Sequence, residues 1–395
     1  MRLELTDAGS ELAESMTSLS DKVVALVRTI YGESFVPLHR PVFAGTERDD
    51  LVACIDSNFV SSVGEKVTEM ERRVAEFAGA RFGVAVVNGT NALQVALRLV
   101  GVQRDCEVIT QALSFVATCN SIAYLGAHPV FVDVDRQTLG MSPDRLQAFL
   151  DEFAERREDG CYNRSTGRRI AACQPMHTFG HPVRIDEIAS ICADWGIPLI
   201  EDAAESLGSY FKDRHTGSFG RLGVFSFNGN KIVTTGGGGL IVTDDEDLAV
   251  RAKHLTTTAK VPHPYEYVHD ELGYNFRMPN LNAALGCAQM EQLPGFLSVK
   301  REIAAQYAEF CAAHGVEFVH EPPGARSNYW LNAIVLNDLA ERDAFLKATN
   351  DQGVMTRPIW RLLNQLPMYA HCQHDGLAVS KWLEERVVNL PSSVP

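Results

Sequence analysis

The chain lacks cysteines at metal or disulfide spacing. Cys54, Cys106, Cys119, Cys161, Cys173, Cys192, Cys287, Cys311 and Cys372 form no CxxC pair and no His-spaced cluster. An odd, scattered set in a chain of 395 residues reads as reduced, buried thiols of a cytoplasmic protein, and no metal site is expected. Basic charge is also scarce. There are 36 Lys and Arg against 50 Asp and Glu, a formal net charge of −14. That field repels a phosphate backbone, so nucleic acid is not an expected partner, although a local pocket can still take a small anion. Long apolar runs are missing too. "VVALV" from Val23 falls far short of the roughly 20 residues of a membrane helix. The opening "MRLELTDAGSELAESM" has neither the basic nor the apolar region of a secretory signal. No GxxxxGK[ST] loop, no strand followed by GxGxxG and no long repeat occurs.

What is present is alternation. Val67, Met70, Val74 and Phe77 mark one helix face that stops at Gly79, and "FGVAVV" from Phe82 follows as a strand. A helix carrying Leu93, Ala96, Leu97 and Val100 comes next. Strands are then expected at 107–110, 129–135, 169–177 and 197–202, with helices at 117–126, 142–155 and 184–196. Apolar strands alternating with helices predict a mostly parallel sheet covered on both faces. The character changes near residue 290, where a long helix leads toward a smaller unit. The expected organisation is an N-terminal helix and arm (1–50) packing on the small domain, a large domain (51–290) and a small α+β domain (291–395).

Ligands of open α/β sheets bind beyond the carboxyl ends of the strands, and four polar features fall there. Asn88, Gly89 and Thr90 sit between a strand and a helix N-terminus, where bare N–H groups and a hydroxyl can cradle a phosphate. Asp202 ends an apolar strand, where a carboxylate requires a partner. Phe115 lies just past another strand end. Lys231 is the single cation between Gly223 and Asp245, beside Thr234, Thr235 and four glycines. Taken alone, each has a plainer reading: a helix capped by Thr90, a second helix cap at Asp202, a core aromatic, a surface lysine. Together they are the parts that hold pyridoxal phosphate.

The stretches "NGTNAL", "EVITQALSFVATCNSI", "IEDAAESLGSYFKDRHTGSFG", "FSFNGNKIVTTGGGG" and "GYNFRMPNLNAALG" closely resemble the sugar-nucleotide aminotransferases of the DegT/StrS type. The resemblance spans about residues 36–395. It implies an α/β, fold-type I PLP-dependent transferase, with a mostly parallel central sheet and a smaller C-terminal α+β domain. It also implies pyridoxal phosphate cycling with pyridoxamine phosphate, and a homodimer with shared active sites. "PMHTFGHP", "HLTTTAKVPHPYEYVHDE" and "TRPIWRLLNQLPMY" resemble the branch that serves bacillosamine or legionaminic acid assembly. That branch implies a UDP-linked 4-keto-6-deoxy sugar as substrate and L-glutamate, released as 2-oxoglutarate, as amino donor. A GDP-linked 4-keto-6-deoxymannose is the alternative, as is a non-catalytic homologue that keeps the fold.

Carried over by residue, Lys231 matches the Schiff-base lysine and Asp202 the acid facing the ring nitrogen. Phe115 matches the stacking aromatic. Gly89, Thr90 and Ser226 match phosphate contacts, Asn91 and Asn228 are expected cofactor-binding residues beside them, and Asn275 matches a contact reaching the phosphate from the other subunit. His177, Arg357 and Trp360 are implied around the sugar nucleotide. Glu205 departs from the Gln or His of many relatives near the ring hydroxyl. A carboxylate there has to be protonated, turned toward another donor, or not a contact at all.

Overall fold

The computed structural model describes residues 18–395. The acidic opening stretch lies outside the described residues, as does the start of the expected N-terminal arm. The expected strands and helices are present, with shorter ends. Phe82–Val86, Glu107–Thr110, His128–Phe131, Arg169–Gln174, Ile200–Asp202 and Leu222–Ser226 are strands, and the helices Gly89–Leu99, Val116–Ala123, Pro143–Phe153 and Ile185–Trp195 alternate with them.

Ile200–Asp202 pairs in parallel with Leu222–Ser226, and Glu107–Thr110 pairs in parallel with both His128–Phe131 and Arg169–Gln174. Parallel bridges at Cys173–Leu199 and Met176–Asp202 join these two groups. Gly239–Thr243 runs against these strands, antiparallel to both Phe82–Val86 and Leu222–Ser226. It follows Leu222–Ser226 after a loop rather than a helical crossover, so the chain must return in the opposite sense. Six strands therefore point their carboxyl ends toward one edge.

Apolar faces fall where the periodicity puts them. Met70 and Val74 are fully buried, as are Leu93, Ala96 and Leu97, and each large side chain so buried contributes about 1.5–3 kcal/mol. Gly79 ends its helix with φ 70°, a conformation that favours glycine. The sequence reading missed a hairpin, Ala154–Arg157 with Gly160–Asn163. It takes up the end of the expected helix 142–155, which stops at Phe153. All nine cysteines are free and buried. No helix of the described residues is long and apolar enough to cross a membrane.

One helix, Asn280–His314, runs through the boundary expected at residue 290. Its C-terminal half shares a core with the helix Leu19–Tyr31 and the strands Asn332–Val335 and Val387–Leu390 through Val23, Val27, Ile303, Tyr307, Ile334 and Val388. The arm that follows Tyr31 is stitched on by Val36, which exchanges backbone bonds with Gly353 and Met355, and by Ser392 N–H donating to Leu38.

Candidate active site

Strand ends and the N-termini of the helices that follow them enclose a cleft of about 310 Å³. It is lined by Gly89 and Thr90 from one end, Phe115 and Thr118 from the next, Asp202 and Glu205 from a third, and Ser226, Asn228 and Lys231 from a fourth. Trp330 and Trp360 close it from the C-terminal part of the chain.

The phosphate end is built by what is absent. The helix begins at Gly89, and its cap is Asn88, not Thr90 as the sequence suggested; Asn88 Oδ1 accepts the Asn91 N–H at 2.8 Å. Thr90 is thereby freed to line the cleft. The first N–H groups of a helix have no intrahelical acceptor, so the N–H groups of Gly89 and Thr90 face a dipole end suited to an anion. A Cβ on Gly89 would lie 2.9 Å from Ser226 Cβ, so only glycine lets the hydroxyl of Ser226 come this close. Asn91 itself supports the cap with its backbone and turns its side chain to Gln94.

Asp202 is buried, with Oδ2 accepting from Thr118 Oγ1 at 2.8 Å and Oδ1 from Ala204 N–H at 3.2 Å. Burial raises its pKa above the usual carboxylate value; these two bonds and the field of Lys231 oppose that rise. Among the described residues no cation reaches ion-pair distance of it, so the carboxylate suits a protonated ring nitrogen.

Lys231 leaves the strand Leu222–Ser226 and projects into the cleft, its side chain 12% exposed. Its Nζ donates to Glu205 Oε1 at 3.1 Å and lies 3.9 Å from the centre of the Trp330 ring. Glu205 is turned toward another donor at both oxygens, for Oε2 accepts the Phe179 N–H at 2.9 Å. Burial pushes its pKa up to about 7 even against Lys231 and that N–H.

The glycines after Lys231 divide by role. Gly236 has φ 77°, whereas Gly238 and Gly239 are sites of close approach, where a Cβ would meet Thr235 Oγ1 at 2.3 Å and the Asn88 carbonyl carbon at 2.5 Å. Gly237 has open space around it. So the run is needed at three of its four positions, and mostly for approach rather than for positive φ.

Besides Asn91, three expected site residues lie outside the cleft. His177 is fully buried; its Nδ1 accepts the Val183 N–H at 3.2 Å, so Nε2–H donates to Glu201 at 3.1 Å and no face remains for a substrate. Arg357 is exposed and bonds Asn350 Oδ1 and the Thr356 carbonyl, both at 2.9 Å. Asn275 is exposed, accepting from its neighbour Arg277. Trp360 does line the cleft, packed on Phe179 with ring centres 5.0 Å apart. Phe115 lines it and is 51% exposed. The sequence reading missed Trp330, Thr118, Met176 and Asn230. Of these, Trp330 carried a local signal, an indole in the apolar run "YWLNAIVL".

The family model of DegT/DnrJ/EryC1/StrS aminotransferases matches residues 43–395. This chain belongs to that family. Its members are pyridoxal phosphate-dependent sugar aminotransferases, and the fold is fold type I. The chain is 35% identical to EpsN of Bacillus subtilis over 90% of each chain, and 33% identical to GDP-perosamine synthase of Escherichia coli O157:H7 over 91% of this chain and 93% of that one. Among solved structures, the aminotransferase TlmJ of Streptoalloteichus hindustanus superposes with a TM-score of 0.82 at 27% identity, covering 91% of this chain and 94% of that one. The residues of the cleft fit the family's cofactor: an anion cradle, an apolar wall, a buried acid without a cation and a lysine amine.

Proposed function

We propose that this family member moves an amino group from L-glutamate to the keto carbon of a nucleotide-linked 4-keto-6-deoxy sugar. The observation that carries the reading is the convergence of Lys231, Asp202, Phe115 and the Gly89–Thr90 helix end on one cleft. When bound, pyridoxal phosphate supplies an electron sink for the carbanion formed at the donor's α-carbon. Gly89, Thr90 and Ser226 would hold the phosphate, and Phe115 would cover the ring face. Asp202, fixed by Thr118, keeps a proton on the ring nitrogen. Lys231 Nζ is the cofactor's tether and the base that moves the proton. Asn275, exposed on its own subunit, is suited to reach the phosphate of a second copy, which makes a homodimer part of the proposal.

The full-length likeness to a GDP-perosamine synthase supports a GDP-linked 4-keto-6-deoxymannose as the substrate. A UDP-linked 2-acetamido-4-keto-2,6-dideoxyhexose, as used for bacillosamine or legionaminic acid, is the second reading; the motifs at 175–182, 254–271 and 356–369 favour it. Steady-state turnover of both sugars with L-glutamate tests this. Preference for the GDP sugar by about 10²-fold or more in kcat/KM is expected. The reverse preference replaces the first reading with the second, and turnover of neither refutes both.

A further inference from the structure

Behind Lys231 lies a second lysine that the proposed reaction does not use. Lys300, on the helix Asn280–His314, is 1% exposed and has no acidic partner within ion-pair distance among the described residues. Its Nζ meets three acceptors: His39 Nε2 at 3.0 Å, the Trp330 carbonyl at 3.1 Å and the Ser392 carbonyl. Burial alone pushes this amine down to about 7. The three acceptors act the other way, because only the ammonium form brings three N–H donors to them.

These acceptors come from three distant parts of the chain: the N-terminal arm, the segment before Asn332–Val335, and the C-terminal tail. They converge on the loop that carries Lys231. Trp330 Nε1 donates to the Asn230 carbonyl at 2.7 Å, and the His39 ring lies 6.4 Å, centre to centre, from the Trp330 indole. The indole face lies 3.9 Å from Lys231 Nζ. A line of contacts therefore runs from His39 through Lys300 and Trp330 to Asn230, next to Lys231.

We propose that Lys300 is a positioning residue for the active site: by tying His39, Trp330 and Ser392 together it holds the indole against Lys231, where the ring stabilises positive charge on Nζ. The inference rests on the reading of Lys231 as the cofactor's tether. The other charged or titratable groups that face Lys231 are Glu205, in contact, and Asp202 and His39, through their fields. None of them hydrogen-bonds the indole, which donates to Asn230, so a Trp330 variant separates its contribution.

The test is a pH titration of the visible absorbance of the cofactor-loaded protein, with Lys231→Ala alongside. Trp330→Leu is expected to lower the protonation midpoint of the Lys231-dependent band by about half to one unit. Lys300→Met is expected to lower it in the same sense, and to add nothing in the Trp330→Leu background. His39→Phe, which removes one acceptor while keeping the packing, gives a smaller shift and serves if Lys300→Met does not fold. A lowered melting temperature with an unchanged midpoint in Lys300→Met or His39→Phe would make the tripod merely structural and overturn the proposal. So would additive shifts in the double variant. A band that persists in Lys231→Ala would instead remove the tether reading itself, and this inference with it.

Discussion

Glu201 and Asp202 are neighbours on one strand, both buried, yet their surroundings are opposite. Strand alternation sends them to different faces. Glu201 receives N–H bonds from Gly217 (2.7 Å), Phe219 (2.6 Å) and Gly220 (2.7 Å), and a fourth bond from His177. Asp202 has only Thr118 and Ala204 and opens onto the cleft. A carboxylate with four donors has its charge fully met and holds loops together. One with two donors, under the burial penalty, is left to bind something else. The same contrast separates the two lysines, for Lys300 is enclosed by acceptors while Lys231 reaches a half-open cleft. Saturation marks the scaffold and incomplete saturation marks the site.

The comparison can be broken by substitutions, taken here from the largest expected effect down. Lys231→Ala should lower turnover by about 10³-fold or more, since tether and proton carrier are lost together. Asp202→Asn should fold normally and lower kcat by about 10²–10³-fold, read by single-turnover kinetics with L-glutamate. Glu201→Gln should do the converse. It should lose about 2–4 kcal/mol in denaturant unfolding while the folded fraction keeps its kcat. Equal loss of kcat in the Glu201 and Asp202 variants would erase the distinction.

Glu205→Gln sharpens the contrast through pH. The folded-state pKa of Glu205 is raised from 4.5 to about 7. Its favourable contribution therefore belongs to the protonated form, present below about pH 4.5 and lost as pH rises through about 7. The Gln variant should match the parent in stability near pH 4.5 and exceed it by roughly 1–3 kcal/mol at pH 8. Thermal unfolding at the two pH values checks this, and a difference that does not grow with pH would contradict it.

Much of the site was legible because strand ends are legible. Apolar runs that stop at Asp202 and Ser226, and a helix that starts at Gly89, locate one edge of the sheet without coordinates. The contacts that cross the chain were not. Thr118 meets Asp202 from 84 positions away and Trp330 meets Asn230 from 100; nothing local encodes either pairing. His177 failed for a related reason. Its place at a strand end was right for a ligand residue, but Glu201, on the opposite face from Asp202, already occupied its free nitrogen. Glu205 was the informative departure, for a carboxylate where many relatives carry Gln or His has its two oxygens met by Lys231 and the Phe179 N–H.

The central claim is that the unsaturated set, Lys231 with Asp202, binds and uses pyridoxal phosphate. The most direct measurement is the absorbance spectrum of the purified protein with the cofactor, before and after L-glutamate, beside Lys231→Ala. The account predicts a visible band that needs Lys231 and gives way to the pyridoxamine form when L-glutamate is added. A band that survives in Lys231→Ala, or one that L-glutamate leaves unchanged, would contradict it.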